Sequence, residues 1–331
     1  MSFDFIDLND IGMDYQDQGP QTFVGRVCHA ASSMFYGTKA LAYTLWLYTF
    51  DCFYTFILPV TFFALVGALT GRPFTSSRVE SVQIVLQHVP GMFMWVWLNA
   101  LLFNVYSQRT DFGIIRDRCD KPWRPLVSWR VKTRADSNDL YIALIHLCCA
   151  LGWYLETLTT TILVMCQGWL FIRLRLGEWN WIFRSLSKTL VMLGYTAVAT
   201  QIAAGGSPLG PSGTSWMVDF GLVLFSTISI LDLPDQHGDA VTGRRTLPLV
   251  LGQIWGGFIL TIPLGFWAFF FPSLVAPRFS DVFIPQAVVA LPIIWKLWTA
   301  DHFLEHKTTA YLWAVWICMY YPTYFGFYYL H

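Results

Sequence analysis

Apolar stretches long enough to cross a lipid bilayer recur along this chain, and they constrain its fold more than any other feature. A transmembrane helix needs about 17 to 25 predominantly apolar residues, and 55% of the 331 residues are hydrophobic while 13% are charged. We therefore predict an all-α integral membrane protein with about nine transmembrane helices. The predicted spans are residues 42–69, 82–106, 139–154, 157–173, 182–204, 215–232, 247–271, 282–299 and 309–330. The third and fourth form one apolar run around Gly152 to Glu156, so a count that differs by one fits the same pattern.

The first 40 residues differ in composition from the rest of the chain. Five aspartates precede Arg26, with no basic segment and no apolar core among them. A secretory signal peptide needs both of those features. We therefore expect residues 1–40 to form a polar cytoplasmic segment and residues 41–331 to form the transmembrane domain.

Basic residues are distributed unevenly along the chain, although the formal net charge is zero. They concentrate in the connections that follow the second, fourth and sixth predicted spans: Arg109, Arg116, Arg118, Lys121, Arg124, Arg130, Lys132 and Arg134; Arg173, Arg175, Arg184 and Lys188; Arg244 and Arg245. Cytoplasmic loops carry an excess of Lys and Arg, so we expect these connections and the N-terminus to face the cytoplasm and His331 to lie on the opposite side. The expected location is the endoplasmic reticulum membrane.

Three carboxylates close the sixth predicted span. Asp232, Asp235 and Asp239 have the spacing i, i+3 and i+7, which places them on one face of a helix. Like charges this close repel one another unless a cation neutralises them. Their oxygen atoms suit Mg²⁺, and Mg²⁺ beside Arg244 and Arg245 is a typical way to hold a diphosphate. The alternative interpretation is a set of solvated polar residues at a helix end.

A second polar group closes the second predicted span. Asn104, Gln108 and Asp111 follow the spacing i, i+4 and i+7, and Asp117 comes soon afterwards. Since four spans separate the two groups, both lie on the same side of the membrane. We therefore predict that they face each other across one cavity and hold metal ions between them.

This pair of motifs resembles the UbiA superfamily of intramembrane prenyltransferases. The resemblance covers nearly the whole chain after residue 40 and includes Gly243 to Leu251, which follow the second motif. The first motif departs from the usual N-D-x-x-D-x-x-x-D pattern, because aligning Asp117 with its last aspartate leaves Gly113 and Arg109 at two of the other positions. Together with the segment Lys121-Pro-Trp-Arg124-Pro, it resembles the fungal branch, which includes terpene cyclases and aromatic prenyltransferases.

The resemblance implies a UbiA-type bundle around a central cavity and a set of site residues. The implied catalytic residues are Asp235, Asp239, Asp117 and Asp111; the implied Mg²⁺ ligands are these four and Asp232; the implied diphosphate contacts are Asn104, Gln108, Lys121, Arg124, Lys188, Arg244 and Arg245. We expect Asp235→Asn and Asp239→Asn to remove activity without unfolding the protein, because each carboxylate would lie at a wet helix end.

The implied activity is that of a Mg²⁺-dependent terpene cyclase, a carbon–oxygen lyase that converts a linear C15 or C20 prenyl diphosphate into a cyclic terpene and pyrophosphate. An aromatic prenyltransferase is the alternative, and a transporter or lipid-binding protein ranks below both. The expected partners are the prenyl diphosphate and the lipid bilayer, without nucleic acid and without an obligate protein partner. Aromatic side chains expected to face the cation are Trp95, Trp97, Tyr195, Phe220 and Phe225.

Several other polar residues have two interpretations. Asp51 lies well inside the first predicted span, where it is either functional or a neutral hydrogen-bonded carboxyl. Asp219 fits a solvated helix end better than a cavity. His302 and His306 have metal-ligand spacing, but since no third ligand is evident, a solvated loop is the better interpretation.

Overall fold

The computed structural model of the protein describes residues 23–72, 74–76, 82–270, 279–300 and 303–329. The helices of these residues are α1 (Phe23–Cys52), α2 (Leu58–Thr70), α3 (Val82–Gln108), α4 (Asp111–Asp120), α5 (Arg134–Tyr154), α6 (Leu158–Arg173), α7 (Leu176–Trp179), α8 (Trp181–Ala203), α9 (Pro211–Thr227), α10 (Gln236–Val241), α11 (Leu247–Gly265), α12 (Phe279–Thr299) and α13 (Phe303–Tyr329). A 3₁₀-helix, Ile228–Asp235, joins α9 to α10, and π-helical turns occupy Phe53–Ile57 and Phe266–Phe270. The part of the predicted polar N-terminal segment before residue 23 and His302 of the possible metal pair lie outside the described residues.

Each predicted apolar span overlaps a helix of the described residues. The predicted division of the long apolar run is confirmed, because α5 ends at Tyr154 and α6 begins at Leu158. Glu156 between them has φ 56°, a left-handed conformation that interrupts the helix. Three helical stretches of the described chain are long and apolar enough by themselves to cross a membrane, namely Gly37–Thr70, Val82–Gln108 and Pro211–Val241. The count of nine membrane crossings stays a prediction.

Several spans are less regular than the hydropathy pattern suggests. Pro59 lacks the N–H that an α-helix would donate to the carbonyl of Thr55, and the π-helical turn Phe53–Ile57 surrounds that carbonyl. Gly252 has φ 71° and kinks α11. The sixth predicted span is also shorter as an α-helix than expected, since α9 ends at Thr227 and continues as the 3₁₀-helix.

The chain divides by its contacts into Met1–Leu45 and Trp46–His331. Within the larger unit, α2 packs on α8, α3 contacts α5 and α8, and α12 packs on α13. Buried aromatic side chains find polar partners there: the indole of Trp95 donates to the Thr161 hydroxyl at 2.8 Å, and that of Trp313 donates to Thr227 at 3.0 Å. Large apolar side chains remain exposed on the outer helix faces, as a lipid environment permits; examples are Leu163, Ile254 and Ile262.

Candidate active site

A charged cavity of about 290 Å³ lies where α3, α4 and α8 meet the segment from the 3₁₀-helix to α10. Its lining includes seven basic side chains, Arg116, Lys121, Arg124, Arg184, Lys188, Arg244 and Lys307, and five carboxylates, Asp51, Asp117, Asp120, Asp235 and Asp239. The structure therefore brings Asp117 of the first motif and Asp235 and Asp239 of the second to one cavity.

The two motifs meet through a close backbone approach. The N–H of Gly238 on α10 donates to Asp120 Oδ2 on α4 at 2.8 Å. A Cβ at position 238 would lie 2.5 Å from that oxygen and 2.9 Å from the carbonyl oxygen of Arg116. Only glycine fits here without displacing one helix, so Gly238 fixes the distance between the two walls of the cavity.

Asp232 does not line the cavity but lies behind it. Its carboxylate is buried, with Oδ1 accepting from Arg184 Nε at 2.8 Å and from Lys188 Nζ at 2.6 Å. The expectation that the three second-motif carboxylates share one helix face is wrong, because the segment up to Asp235 is a 3₁₀-helix and α10 only begins at Gln236. Asp232 positions two cavity cations instead of presenting its oxygens to the cavity.

Asp239 lines the cavity but is fully buried as a residue. Arg244 donates to its Oδ1 at 2.7 Å, while its Oδ2 has no hydrogen-bond partner and lies 3.8 Å from Arg184. The predicted wet helix end is therefore wrong for Asp239. Burial, together with the nearby Arg184, lowers the pKa of the Arg244 guanidinium to about 10, although Asp239 opposes the change. Positive charge is crowded at this corner of the cavity.

Asp235 is the most accessible carboxylate of the second motif. Its side chain is 25% exposed and pairs with Lys121 Nζ at 2.8 Å. Burial by itself lowers the pKa of the Lys121 ammonium, but Asp235, Asp51 and Asp117 together outweigh burial, and the pKa lies above its ordinary value. Lys121 therefore remains charged and holds the first motif against the second.

A second ion-pair network includes Asp117 and Asp51. Arg124 pairs with Asp117 at 2.7 Å and with Asp51 at 3.4 Å, and Lys307 pairs with Asp51 at 3.6 Å. Burial raises the pKa of Asp117, although Arg124 and Lys121 counteract it. Asp51 thus lines the cavity beside two basic side chains, which favours the functional interpretation over that of a neutral hydrogen-bonded carboxyl.

The remaining predicted site residues divide between the cavity and other places. Asn104 lines the cavity and donates to Cys52 Sγ at 3.3 Å, whereas the buried Gln108 donates to the backbone oxygen of Tyr48 at 2.9 Å. Asp111 is largely exposed, pairs with Arg134 and lies outside the cavity, because the chain turns at Thr110 before α4 begins. Arg245 is exposed and does not line the cavity either. The positions of Gln108, Asp111 and Arg245 give no support to their predicted roles.

Sequence reasoning missed several residues of the site. Arg116 and Asp120 flank the predicted Asp117 on α4, so their proximity to a recognised motif was a usable signal. Lys307 and Glu178 carried no such signal. Glu178 pairs with Arg116 at 3.3 Å and with Arg244 at 3.9 Å, across 62 and 66 residues of sequence respectively.

The charged cavity continues into an apolar chamber of about 190 Å³. Phe103, Phe171, Asn104 and Lys188 line both spaces, and the chamber is otherwise lined by uncharged side chains that include Phe56, Val191, Met192 and Tyr195. Of the aromatic residues expected to face the cation, Tyr195 lines the chamber, whereas Trp95 and Phe220 are buried in the core. Phe103 and Phe171, with ring centroids 6.1 Å apart, stand at the junction instead.

The residues present fit a magnesium site that is completed by a phosphate ligand. No three His, Cys, Asp or Glu side chains of the described residues converge closely enough to hold a metal ion by themselves. Mg²⁺, however, is usually held by one or two carboxylates together with substrate phosphates and water. Asp235 and Asp239 both line the cavity, and Oδ2 of Asp239 has no hydrogen-bond partner.

Three proteins with similar sequences are named as a synthase, a cyclase and a transferase. No protein-family model matches the chain. The somaliensene A/B synthase of Streptomyces somaliensis is 29% identical over 63% of this chain and 65% of its own length. The diterpene cyclase eriG of Hericium erinaceus is 26% identical over 64% of this chain and 66% of its own, and the polyprenyl transferase eriF of the same species is 27% identical over 62% and 67%. The aligned part of this chain thus spans just under two thirds of the first two relatives.

Solved structures provide the comparison of folds. A UbiA homolog from Archaeoglobus fulgidus, solved with DMAPP and Mg²⁺, matches with a TM-score of 0.53 at 15% identity, over 85% of this chain and 98% of that one. This likeness shows that the chain has the fold of a UbiA homolog. The shared UbiA fold and the apolar helices together support an integral membrane protein.

Proposed function

We propose that this protein is a Mg²⁺-dependent membrane enzyme of the UbiA superfamily that ionises a linear prenyl diphosphate, and that it is a terpene cyclase. Two connected spaces support this proposal. A cavity rich in ionic groups opens, past Phe103 and Phe171, into a chamber with an apolar lining. A prenyl diphosphate has the same two parts, a charged head and an apolar tail.

The charge balance of the cavity argues for a metal cofactor. Seven basic side chains and five carboxylates line it, and the buried Asp232 and the half-buried Glu178 pair with four of those basic groups. Charges of the two signs are then equal, so a diphosphate enters most favourably together with a cation. Asp235, Asp239 and Asp117 would hold Mg²⁺, which supplies positive charge where the leaving diphosphate gains negative charge.

The residues at the junction suit bond cleavage. Lys121, Arg124 and Lys188 lie within the charged lining and would contact the diphosphate oxygens. The allylic carbon–oxygen bond breaks with its electron pair going to the diphosphate, which leaves an allylic cation at the mouth of the chamber. The faces of Phe103 and Phe171 attract a cation there by about 0.5 to 2 kcal/mol each.

The chamber lining favours cyclisation over transfer to an aromatic acid. Apart from Lys188 at the mouth, no charged side chain among the described residues lines the chamber. A folded isoprenoid tail needs only apolar walls, and its own double bond attacks the cation to close a ring before a proton is lost. Two of the three relatives are also named synthase or cyclase. The name of the polyprenyl transferase eriF supports the alternative, prenyl transfer.

The deciding experiment is the product profile without an acceptor. Purified protein with Mg²⁺ and a C15 or C20 diphosphate should release pyrophosphate and give a cyclic hydrocarbon, because the apolar chamber keeps water from the cation. Linear alcohol alone, joined by a prenylated phenol when 4-hydroxybenzoate is added, would identify a prenyltransferase. Absence of pyrophosphate release under both conditions would favour a transporter or a lipid-binding protein. We expect the C20 diphosphate to be the preferred substrate and the charged cavity to lie at the cytoplasmic face of the endoplasmic reticulum membrane.

A further inference from the structure

A second polar cavity of about 310 Å³ lies beside the charged cavity. Its charged lining comprises six arginines, Arg109, Arg116, Arg134, Arg173, Arg175 and Arg244, and two carboxylates, Asp111 and Glu178. Unlike the first cavity, it therefore has a clear excess of positive charge. We call it the arginine cavity.

The arginines come from separate elements of the fold. They lie after α3, on α4, at the start of α5, at the end of α6 and before α11. Cytoplasmic anchoring explains a high number of basic residues in loops, but it does not require five segments to direct them to one concave space. Convergence on a cavity indicates a ligand.

The carboxylates present leave most of this positive charge uncompensated. Glu178 is shared among three guanidinium groups, since Arg116, Arg175 and Arg244 all pair with it. Arg173 is exposed and has no carboxylate partner among the described residues.

Arg109 is held in place without a counter-charge. Its guanidinium carbon lies 4.7 Å from the ring centroid of Tyr106 and 4.2 Å from that of Tyr141, and it donates to the neutral side chain of Asn138. A guanidinium fixed by aromatic faces and a neutral amide keeps N–H groups free for an anionic partner. Its position is set before any anion binds.

We propose that the arginine cavity is a second binding site, selective for a phosphate-bearing anion. Guanidinium groups match phosphate oxygens in pairs, which makes arginine the usual residue for this recognition. The anion is either free pyrophosphate or the headgroup of an anionic phospholipid, and both present the same oxygens. The site goes beyond the proposed reaction and does not depend on it.

The arginine cavity and the charged cavity share a wall, which connects the proposed second site to the first. Arg116, Arg244, Ser107 and Phe171 line both spaces. Arg244 pairs with Asp239 on one side and with Glu178 on the other, at 2.7 Å and 3.9 Å. If the proposed reaction holds, pyrophosphate leaving the first cavity meets the arginine cavity next.

The two sites should differ in their need for metal, which makes them separable. We expect wild-type protein in detergent with EDTA to bind inorganic pyrophosphate in isothermal titration calorimetry, more weakly as salt screens the charges. The double variant Arg109→Gln/Arg173→Gln should weaken that binding at least tenfold. The single variant Arg173→Gln should also weaken it. Arg118→Gln/Lys132→Gln removes two exposed charges that line neither cavity and should change the Kd less than twofold.

Asp235→Asn separates this inference from the proposed function. It should retain metal-free pyrophosphate binding even if it abolishes turnover, because Asp235 does not line the arginine cavity. Loss of metal-free binding in Asp235→Asn, no binding by the wild type, or equal Kd values for the two double variants would each overturn the proposal.

Nanodiscs distinguish the two sources of phosphate. Equal pyrophosphate binding in phosphatidylcholine discs with and without phosphatidic acid assigns the site to free pyrophosphate. Weaker binding when phosphatidic acid is present, with that lipid retained by wild type but not by Arg109→Gln/Arg173→Gln in native mass spectrometry, assigns it to a lipid headgroup. Phosphatidic acid effects that are the same in both double variants would count against the site.

Discussion

The carboxylates of Asp235 and Asp239 line the same cavity in different surroundings. Asp235 is partly exposed and has one lysine partner, whereas Asp239 is fully buried between Arg244 and Arg184. Substituting Asp235 and Asp239 in turn therefore distinguishes a role in catalysis from a role in stability.

Asp235→Asn should lower turnover at least tenfold, which corresponds to about 1.4 kcal/mol of activation free energy, and should change the thermal unfolding temperature little. Asparagine keeps the shape of the side chain but loses the charge that a metal ligand needs. The measurement is initial rate of pyrophosphate release with saturating Mg²⁺. Asp139→Asn, an exposed carboxylate outside both cavities, is the matched control; equal rates for the two variants would exclude a ligand role for Asp235.

Asp239→Asn should lower stability as well as activity. Breaking a buried ion pair leaves a charge uncompensated and costs about 3–5 kcal/mol, so the unfolding temperature should fall well below that of Asp235→Asn. Adding Arg244→Gln removes one uncompensated charge and should restore part of the lost stability without restoring turnover. An unfolding temperature for Asp239→Asn equal to the wild type would contradict the buried pairing.

At the scale of elements, the docking of α10 on α4 sets the geometry of the cavity. The contact depends on one position without a side chain, Gly238, where the N–H reaches Asp120. Asp239 and Arg244 follow Gly238 within the next six residues of the sequence. A small displacement of α10 therefore moves a proposed metal ligand.

Gly238→Ala should reduce turnover at least tenfold, because its Cβ would lie 2.5 Å from Asp120 Oδ2 and 2.9 Å from the Arg116 carbonyl oxygen. Backbone cannot move aside as a flexible side chain can. Gly265→Ala in α11, where a Cβ meets nothing within 4 Å, is the control for helix propensity. Rates are compared with thermal stability, and a Gly238→Ala enzyme with wild-type rates would show that this approach does not position the site.

At the scale of the whole molecule, one polar centre is built from segments that are far apart in sequence. Lys121 pairs with Asp235 across 114 residues, and Lys307 pairs with Asp51 across 256. Bundle helices bring these groups to one end of an apolar interior. The charges of such a centre already compensate each other, so the balance is kept only if a diphosphate and a cation enter together.

A chelator should therefore abolish turnover, and added Mg²⁺ should restore it. The reason is that the diphosphate otherwise enters a cavity whose charges already compensate each other. Pyrophosphate release is measured with EDTA and then with excess Mg²⁺, while thermal unfolding checks that the fold survives chelation. Turnover that persists in EDTA would remove the metal from the proposed mechanism.

The class of fold and the two polar segments that meet at the cavity could be predicted from the sequence alone. Hydropathy predicts helices because each apolar run is a local property, and the break between α5 and α6 was visible in the same way. The spacing of Asp235 and Asp239 indicated a polar function for the same reason. Both conclusions depend on neighbours within a few turns of helix.

The set of side chains that share the cavity depends on tertiary packing and could not be predicted from local spacing. Asp232 and Asp239 differ in position because a 3₁₀-helix replaces the expected α-helix, and Asp111 leaves the cavity because α3 ends before it. Lys307 and Glu178 join the ionic groups through helix packing. Ion pairs across a bundle depend on which helix faces meet, and that is settled by the packing of the whole interior, which local spacing does not encode.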